Sequence, residues 1–372
     1  LKEKEKMGTI QRVLDEFDSR FTAAHRLLLE LHGVKILVSA DSDEVAGLLR
    51  HYYADYLSSA DPHGAGAQCC RIDALQQWIK VDQEELAIYV EQGKTKPKEA
   101  FLDDPGGGRR LMLKVRSDVL ALLEPRHIRV AGDLVGNINQ LNNIINAVFI
   151  IDRMDAGYTL FHASALARGD RGMIVSGRSG AGKSSAAIWT LDHGISIISN
   201  DRLLARRAPG AGTAGIPMLG VPKKPRINPG TIVSNPRLHG MMTPAELTRY
   251  QALPRQELWH VEQKYDLDVK TVFGPGAEQA TAMLHAAFFI DWDVKSSDEY
   301  HCELLPVERC PEFYRAVFKD GGVFDLRNSE TSFKPEHEAE YERVLSGIPV
   351  YHVTGGVSFD ALVDSILECA RG

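Results

Sequence analysis

Residues 177–184 read Gly-Arg-Ser-Gly-Ala-Gly-Lys-Ser, directly after the apolar run Met173-Ile174-Val175. The pattern is Gly-x4-Gly-Lys-Ser, a Walker A motif. The apolar run predicts a strand that delivers the chain. Gly177, Gly180 and Gly182 let the backbone curl past Ser179 and Ala181, and a helix opens at Lys183. Such a loop turns several N–H groups toward one point, and the helix N-terminus adds the positive end of its dipole. The spacing therefore predicts phosphate binding by Gly177, Ser179, Gly180, Ala181, Gly182, Lys183, Ser184 and Ser185. Lys183 would reach the β- and γ-phosphates of ATP, and the Ser184 hydroxyl would ligate Mg2+.

Around that stretch, 372 residues suggest two domains of ordinary size. A hydrophobic share of 44% with 25% charged residues is that of a globular chain with material for two cores. A net charge of −7 argues against a dedicated nucleic-acid partner. No apolar run approaches the ~20 residues of a membrane span, and the charged Leu-Lys-Glu-Lys-Glu-Lys start has no apolar core of a secretion signal. The cysteines Cys69, Cys70, Cys302, Cys310 and Cys369 lack metal-ligand spacing and read as free thiols of a reducing cytosol, so a cytoplasmic location is expected.

Residues 1–150 read as an α+β domain. Apolar residues at helical spacing predict a helix over 8–32, followed by a strand over 34–38 and a helix from Ser42 to Leu57. Alternating stretches near 70–91, 98–102, 111–116 and 126–131 predict short strands, with a turn at Asp103–Gly108. Residues 137–153 return to helical spacing. No catalytic constellation is visible in this half, and its role stays open. Residues 151–372 read as an α/β P-loop domain. It begins with a strand over 159–166, turns at Arg168–Gly172 into the Walker strand, and runs through a helix from Lys183 to about His193. A helix near 335–345, a strand over 349–353 and a helix from Ser358 close it.

The strand after the loop helix, Ile195–Ile198, leads to Ser199-Asn200-Asp201. A carboxylate at the tip of a strand neighbouring the loop can hold Mg2+ or take the proton of an attacking hydroxyl. No ABC-type signature is present, and no apolar run ends in Asp-Glu as in hydrolytic motors. Lys223, Lys224 and Arg226, in a proline-rigid loop, read either as a lip for the acceptor or as a solvated basic loop. His285, Trp259 and Trp292 read as packing residues. His239, His301 and His337 have no local partners in the sequence.

His162-Ala-Ser-Ala, the 177–185 loop, Gly194–Asp201 and Glu262-Gln-Lys264 through Phe273-Gly274-Pro-Gly276 resemble, in that order, the catalytic core of HPr kinase/phosphorylase. The resemblance covers about residues 159–293. It implies that Lys183 and the loop bind ATP, that Ser184 and Asp201 ligate Mg2+, that Glu262 is an acidic active-site residue, and that His162 stands beside the nucleotide. It also implies a homo-oligomer. Two departures stand out. Asn200 replaces an aspartate that serves as general base in the family, leaving that role to Asp201, His162, Glu262 or no strong base. Lys264 replaces an arginine, removing a bidentate phosphate contact. The expected activity is that of a divergent Mg·ATP-dependent kinase. Its acceptor is a hydroxyl, either a serine of a protein or peptide or a small molecule. Asn200 also leaves open a regulatory protein that binds ATP without transferring phosphate.

Overall fold

The computed structural model describes residues 2–64, 69–90, 97–178, 180–207, 215–261, 263–293, 295–306, 310–326 and 333–371. The chain packs as two compact units. One is Leu1–Asp152 with Gly321–Ser332, and the other is Arg153–Asp320 with Phe333–Gly372. Both mix helices with sheet, and no helix is long and apolar enough to cross a membrane among the described residues.

The first unit runs α1 (Lys2–Arg20), β1 (His25–Leu31), β2 (Val34–Ala40), α2 (Asp43–Tyr52), β3 (Cys70–Leu75), β4 (Ala87–Tyr89), β5 (Glu99–Asp103), β6 (Arg110–Lys114), β7 (Val119–Glu124), β8 (His127–Ala131) and α3 (Ile138–Asp155). Its sheet has the order β1-β2-β3-β8-β7-β6-β5-β4, with β2, β3 and β8 parallel and the other neighbours antiparallel. Ile10, Val13 and Phe17 share one face of α1 at helical spacing and pack against Leu111, Leu113, Leu120 and Leu122 of the sheet.

The helix expected over 8–32 is corrected here: it ends at Arg20, and residues 25–31 form β1. The three leucines Leu27–Leu29 fit either period. The turn decides. His32 and Gly33 both take positive φ, 47° and 84°, which gives the two-residue hairpin that matches strand twist. Every residue of β1 then pairs with β2, from His25↔Ala40 to Leu31↔Val34. The helix from Ser42 stops at Tyr52, short of Leu57, although Ser42 caps it by accepting from the Val45 N–H. Strand β7 was not expected; its all-apolar run Val119–Leu123 is buried and shows no alternation.

At the C-terminal edge of the three parallel strands the polar groups close on one another. Asp41 Oδ1 accepts from the Gln76 N–H (2.9 Å), and Gln76 Nε2 donates to Asp133 Oδ1 (3.1 Å). Gln76 Oε1 accepts from the N–H groups of Leu134 and Val135 at 2.7 and 3.0 Å.

The second unit begins with β9 (Thr159–Phe161), β10 (Ser164–Arg168), β11 (Arg171–Gly177), α4 (Lys183–Thr190), β12 (Ser196–Ser199), β13 (Leu203–Ala205) and β14 (Ile216–Gly220). There follow β15 (Arg226–Ile227), α5 (Pro229–Ser234), α6 (Pro244–Gln251), α7 (Arg255–Trp259), β16 (Tyr265–Asp266) and α8 (Val269–Phe273). The unit closes with β17 (Thr281–Ile290), β18 (His301–Leu305), α9 (Pro311–Val317), α10 (Pro335–Leu345), β19 (Val350–Thr354) and α11 (Phe359–Arg371).

Its main sheet is built around β11 and β17, which run parallel from Arg171↔Met283 to Gly177↔Ile290. The sheet forks at β17. The first half of that strand pairs antiparallel with β14, and the second half pairs parallel with β19. Both faces of β11 are buried. Met173 and Val175 meet Ala186, Ala187 and Ile188 of α4 and Leu362 and Ile366 of α11, while Ile174 faces the cluster that holds Phe313 and Tyr341. With eight residues α4 is too short to persist alone. Burying a side chain such as Ile188 contributes about 1.5–3 kcal/mol, and this packing holds the helix under the loop.

Two expectations for this unit change. The single strand expected over 159–166 breaks at His162, so that β9 pairs with β13 while β10 pairs with β11 and β12. The strand leading to Asp201, β12, is next after β11 in sequence but not in space, because β10 lies between them.

Candidate functional site

Strand β11 ends at Gly177, where the backbone turns over the end of β17. A Cβ at Gly177 would stand 2.6 Å from the Ile290 carbonyl, so no larger residue fits. The chain then passes Arg178 and Gly180 to Gly182, the N-cap of α4, whose φ of 95° is left-handed. Among the described residues no side chain caps this helix, so the N–H groups of its first turn find no side-chain acceptor there. Ser179 lies outside the described residues.

Lys183 is 8% exposed and folds back along the loop. Its Nζ donates to the carbonyls of Gly177 (2.8 Å) and Arg178 (3.2 Å). Burial pushes the ammonium down to a pKa of about 8; Asp201 opposes the shift and Lys264 adds to it. A half-desolvated ammonium resting on carbonyls, beside an uncapped helix, is a donor set suited to a phosphate chain. Ser184 lines the same cleft, and the Ser185 hydroxyl hydrogen-bonds with that of Thr231 at 2.7 Å.

The cleft has a volume of about 760 Å3 and brings His162, Asp201 and Lys264 together with Gly180, Lys183 and Ser184. Asp201 follows the end of β12, with its side chain 58% exposed. His162 Nε2 lies 3.5 Å from Asp201 Oδ1, and Arg202 Nε lies 3.6 Å from Oδ2. Desolvation pushes the Asp201 carboxyl up. The His162 hydrogen bond, Arg202 and Lys223 outweigh it and hold the group well below the usual carboxylate range. Such a carboxylate is a good cation ligand and a poor proton acceptor. Asn200 is buried beside it: its main-chain carbonyl accepts from Ser164 Oγ (2.6 Å), while its Oδ1 has no partner. Among the described residues no three His, Cys, Asp or Glu side chains gather as a metal cage. Glu262 lies outside the described residues.

The basic loop divides. Lys224 pairs with Asp268 at 2.9 Å and Arg226 with Asp266 at 3.1 Å, whereas the Lys223 ammonium is pushed down by burial and by Arg202, with Asp201 opposing. All five cysteines are free thiols. His337 has local partners after all: its Nδ1 accepts from the Lys334 N–H, and its ring lies 4.7 Å from that of Phe318.

Two residues read as packing do more than pack. Trp292 Nε1 donates to the Ala181 carbonyl (2.8 Å), and Trp259 Nε1 donates to that of Gly180 (3.1 Å). These indoles pin the loop's outward carbonyls. Asp291 was also passed over. It ends the apolar run Ala286–Ile290 on the strand that neighbours β11, where it lies 3.9 Å from Arg178 Nε and 3.5 Å from His352 Nε2. Its signal was an apolar run closed by a single aspartate.

No protein-family model and no curated protein matches the sequence. Among solved structures, the chain is similar to the HPr(Ser) kinase/phosphatase from Coxiella burnetii, at 12% identity and a TM-score of 0.28. The match covers 57% of this chain and 88% of that one.

Proposed function

We propose that the second unit is a phosphotransferase that uses Mg·ATP to phosphorylate a hydroxyl. The observation that carries this reading is the buried Lys183 ammonium, held on the Gly177 and Arg178 carbonyls at an uncapped helix start. It shares one cleft with the His162–Asp201 pair. Bound Mg·ATP would supply the phosphoryl group and the cation that neutralises it. In this reading Lys183 leaves the loop carbonyls for phosphoryl oxygens, and the N–H groups of the first turn of α4 hold the rest of the chain. Ser184 and Asp201 are assigned to Mg2+.

The departures at Asn200 and Lys264 shape the chemistry. A neutral amide at position 200 takes no proton, and the depressed Asp201 carboxyl takes one only weakly. A loose, dissociative transfer tolerates this, since the acceptor's proton can leave late and positioning does most of the work. In this reading His162, beside Asp201, would orient the acceptor hydroxyl. A serine of a protein or peptide is the acceptor we favour, from the order of the motifs; a small-molecule alcohol is the competing one. Asn200 with its unpartnered Oδ1 supports a different reading, a regulatory protein that binds ATP without transfer.

Incubation of the pure protein with γ-labelled ATP, cell extract and a separate metabolite fraction distinguishes them. Label in protein supports the favoured acceptor, and label in a metabolite the other. Binding without label leaves the regulatory reading. Asp201→Asn, which removes a proposed Mg2+ ligand, should lower transfer by about 100-fold or more. An unchanged rate would remove Asp201 from the reaction.

A further inference from the structure

Aromatic rings gather along one side of the cleft. Phe359, the first residue of α11, stacks with Trp189 of α4 (centroids 5.5 Å apart, planes at 25°) and with Trp259 of α7 (6.4 Å, 23°). Trp292 meets Phe359 edge-on at 5.2 Å. Trp189, Trp259 and Phe359 all line the cleft, and all three are only partly buried. The stack reaches the loop itself, since a Cβ at Gly182 would lie 3.2 Å from the Phe359 ring.

We propose that this stack is the base-binding wall of the site, where the base of the nucleotide donor adds as a further ring. The inference rests on the loop being a phosphate site. Three observations carry it beyond that. Ser185 and Trp189 stand four residues apart on α4, hence on one face and about 6 Å apart along the axis. A phosphate chain held at the start of α4 therefore has an indole one turn further on, in the same cleft. The charges also differ along the cleft. Lys183 and Lys264 belong to the loop side, whereas Asp360 stands at the aromatic side and accepts from Trp189 Nε1 at 2.9 Å. A carboxylate there repels phosphate and can accept N–H groups of a base. Finally, structural support of the loop explains Trp259 and Trp292, which hold its carbonyls, but not Trp189. Its indole donates to Asp360 and, among the described residues, not to the loop, yet a broad ring is kept partly exposed in the same cleft.

The test is direct binding by calorimetry, without turnover, of the full chain with Mg·ATP and with an abasic ribose 5-triphosphate of equal charge. ATP should bind about tenfold to a hundredfold more tightly, the worth of one base stacked on an aromatic face. Trp189→Leu and Phe359→Leu should bring ATP down to the abasic level and leave the abasic ligand unchanged. Phe359→Tyr, which restores a ring, should keep the preference. Equal affinity of the two ligands for the unmodified protein overturns the wall while leaving the phosphate site standing, and needs no variant. So does a parallel loss of both ligands in Leu variants that remain folded by circular dichroism. If neither ligand binds the unmodified protein, the phosphate site falls and the wall with it.

Discussion

Each unit of the chain sets parallel strands side by side with a helix N-terminus beyond their C-terminal edge, the usual place for a site in open α/β sheets. The two edges end differently. In the first unit Asp41, Gln76 and Asp133 satisfy one another and the following N–H groups, and Ser42 caps α2. In the second unit Gly182 offers α4 no side-chain cap, and Lys183 donates to the main-chain carbonyls of Gly177 and Arg178. The same architecture carries a side-chain cap in one case and none among the described residues in the other. In the reading proposed above, that uncapped helix start, rather than the sheet, is what distinguishes the second edge.

The comparison breaks most sharply at Lys183. Lys183→Ala should reduce phosphoryl transfer by about 1,000-fold or more, because the loop then lacks the cation that meets developing charge. Retained label transfer would move the site elsewhere. The counterpart in the first unit is Gln76→Ala. It strips acceptors from Leu134 and Val135 and a donor from Asp133, so chemical denaturation should show a loss of about 1–3 kcal/mol with nucleotide affinity untouched. A loss of nucleotide affinity in that variant would make the first edge part of the site.

Titration sharpens the contrast. The folded pKa of Lys183, about 8, lies below the unfolded value of about 10.4. Below about pH 8 the folded protein carries the full cost of burying the ammonium. Between about pH 8 and 10.4 the unfolded chain binds the additional proton, so this contribution to stability rises with pH. Anion affinity needs the charge and should fall over the same window. Opposite slopes in calorimetric melting and in nucleotide titrations, both flattened in Lys183→Ala, are the expected result. Parallel slopes would mean that another group governs the pH response. The smallest effect is expected for Trp292→Phe, which keeps a ring but removes the donor to the Ala181 carbonyl, for about 1 kcal/mol in thermal melts.

How much of this was legible in the sequence depends on the span of each interaction. The loop, the start of α4 and the turn at Gly194 are written in neighbouring residues, and periodicity plus glycine placement reveals them. The indoles that pin the loop lie 79 and 111 residues away from the carbonyls they hold, and no local pattern announces them. Residues 25–31 misled because three successive leucines suit a helix as well as a strand; the His32-Gly33 turn carried the information. Asp201 is expected from the motif, but its distance from β11 follows from a strand order that sequence adjacency concealed.

The aromatic wall has a further consequence. The chain has four tryptophans, and Trp189, Trp259 and Trp292 all crowd around Phe359, while Trp78 stands 58% exposed in the other unit. Ultraviolet emission from this protein is therefore largely the emission of one few-ångström neighbourhood. Its intensity and colour should follow events in the cleft and hardly register the melting of the first sheet. The molecule comes with its own optical probe, already installed beside the loop.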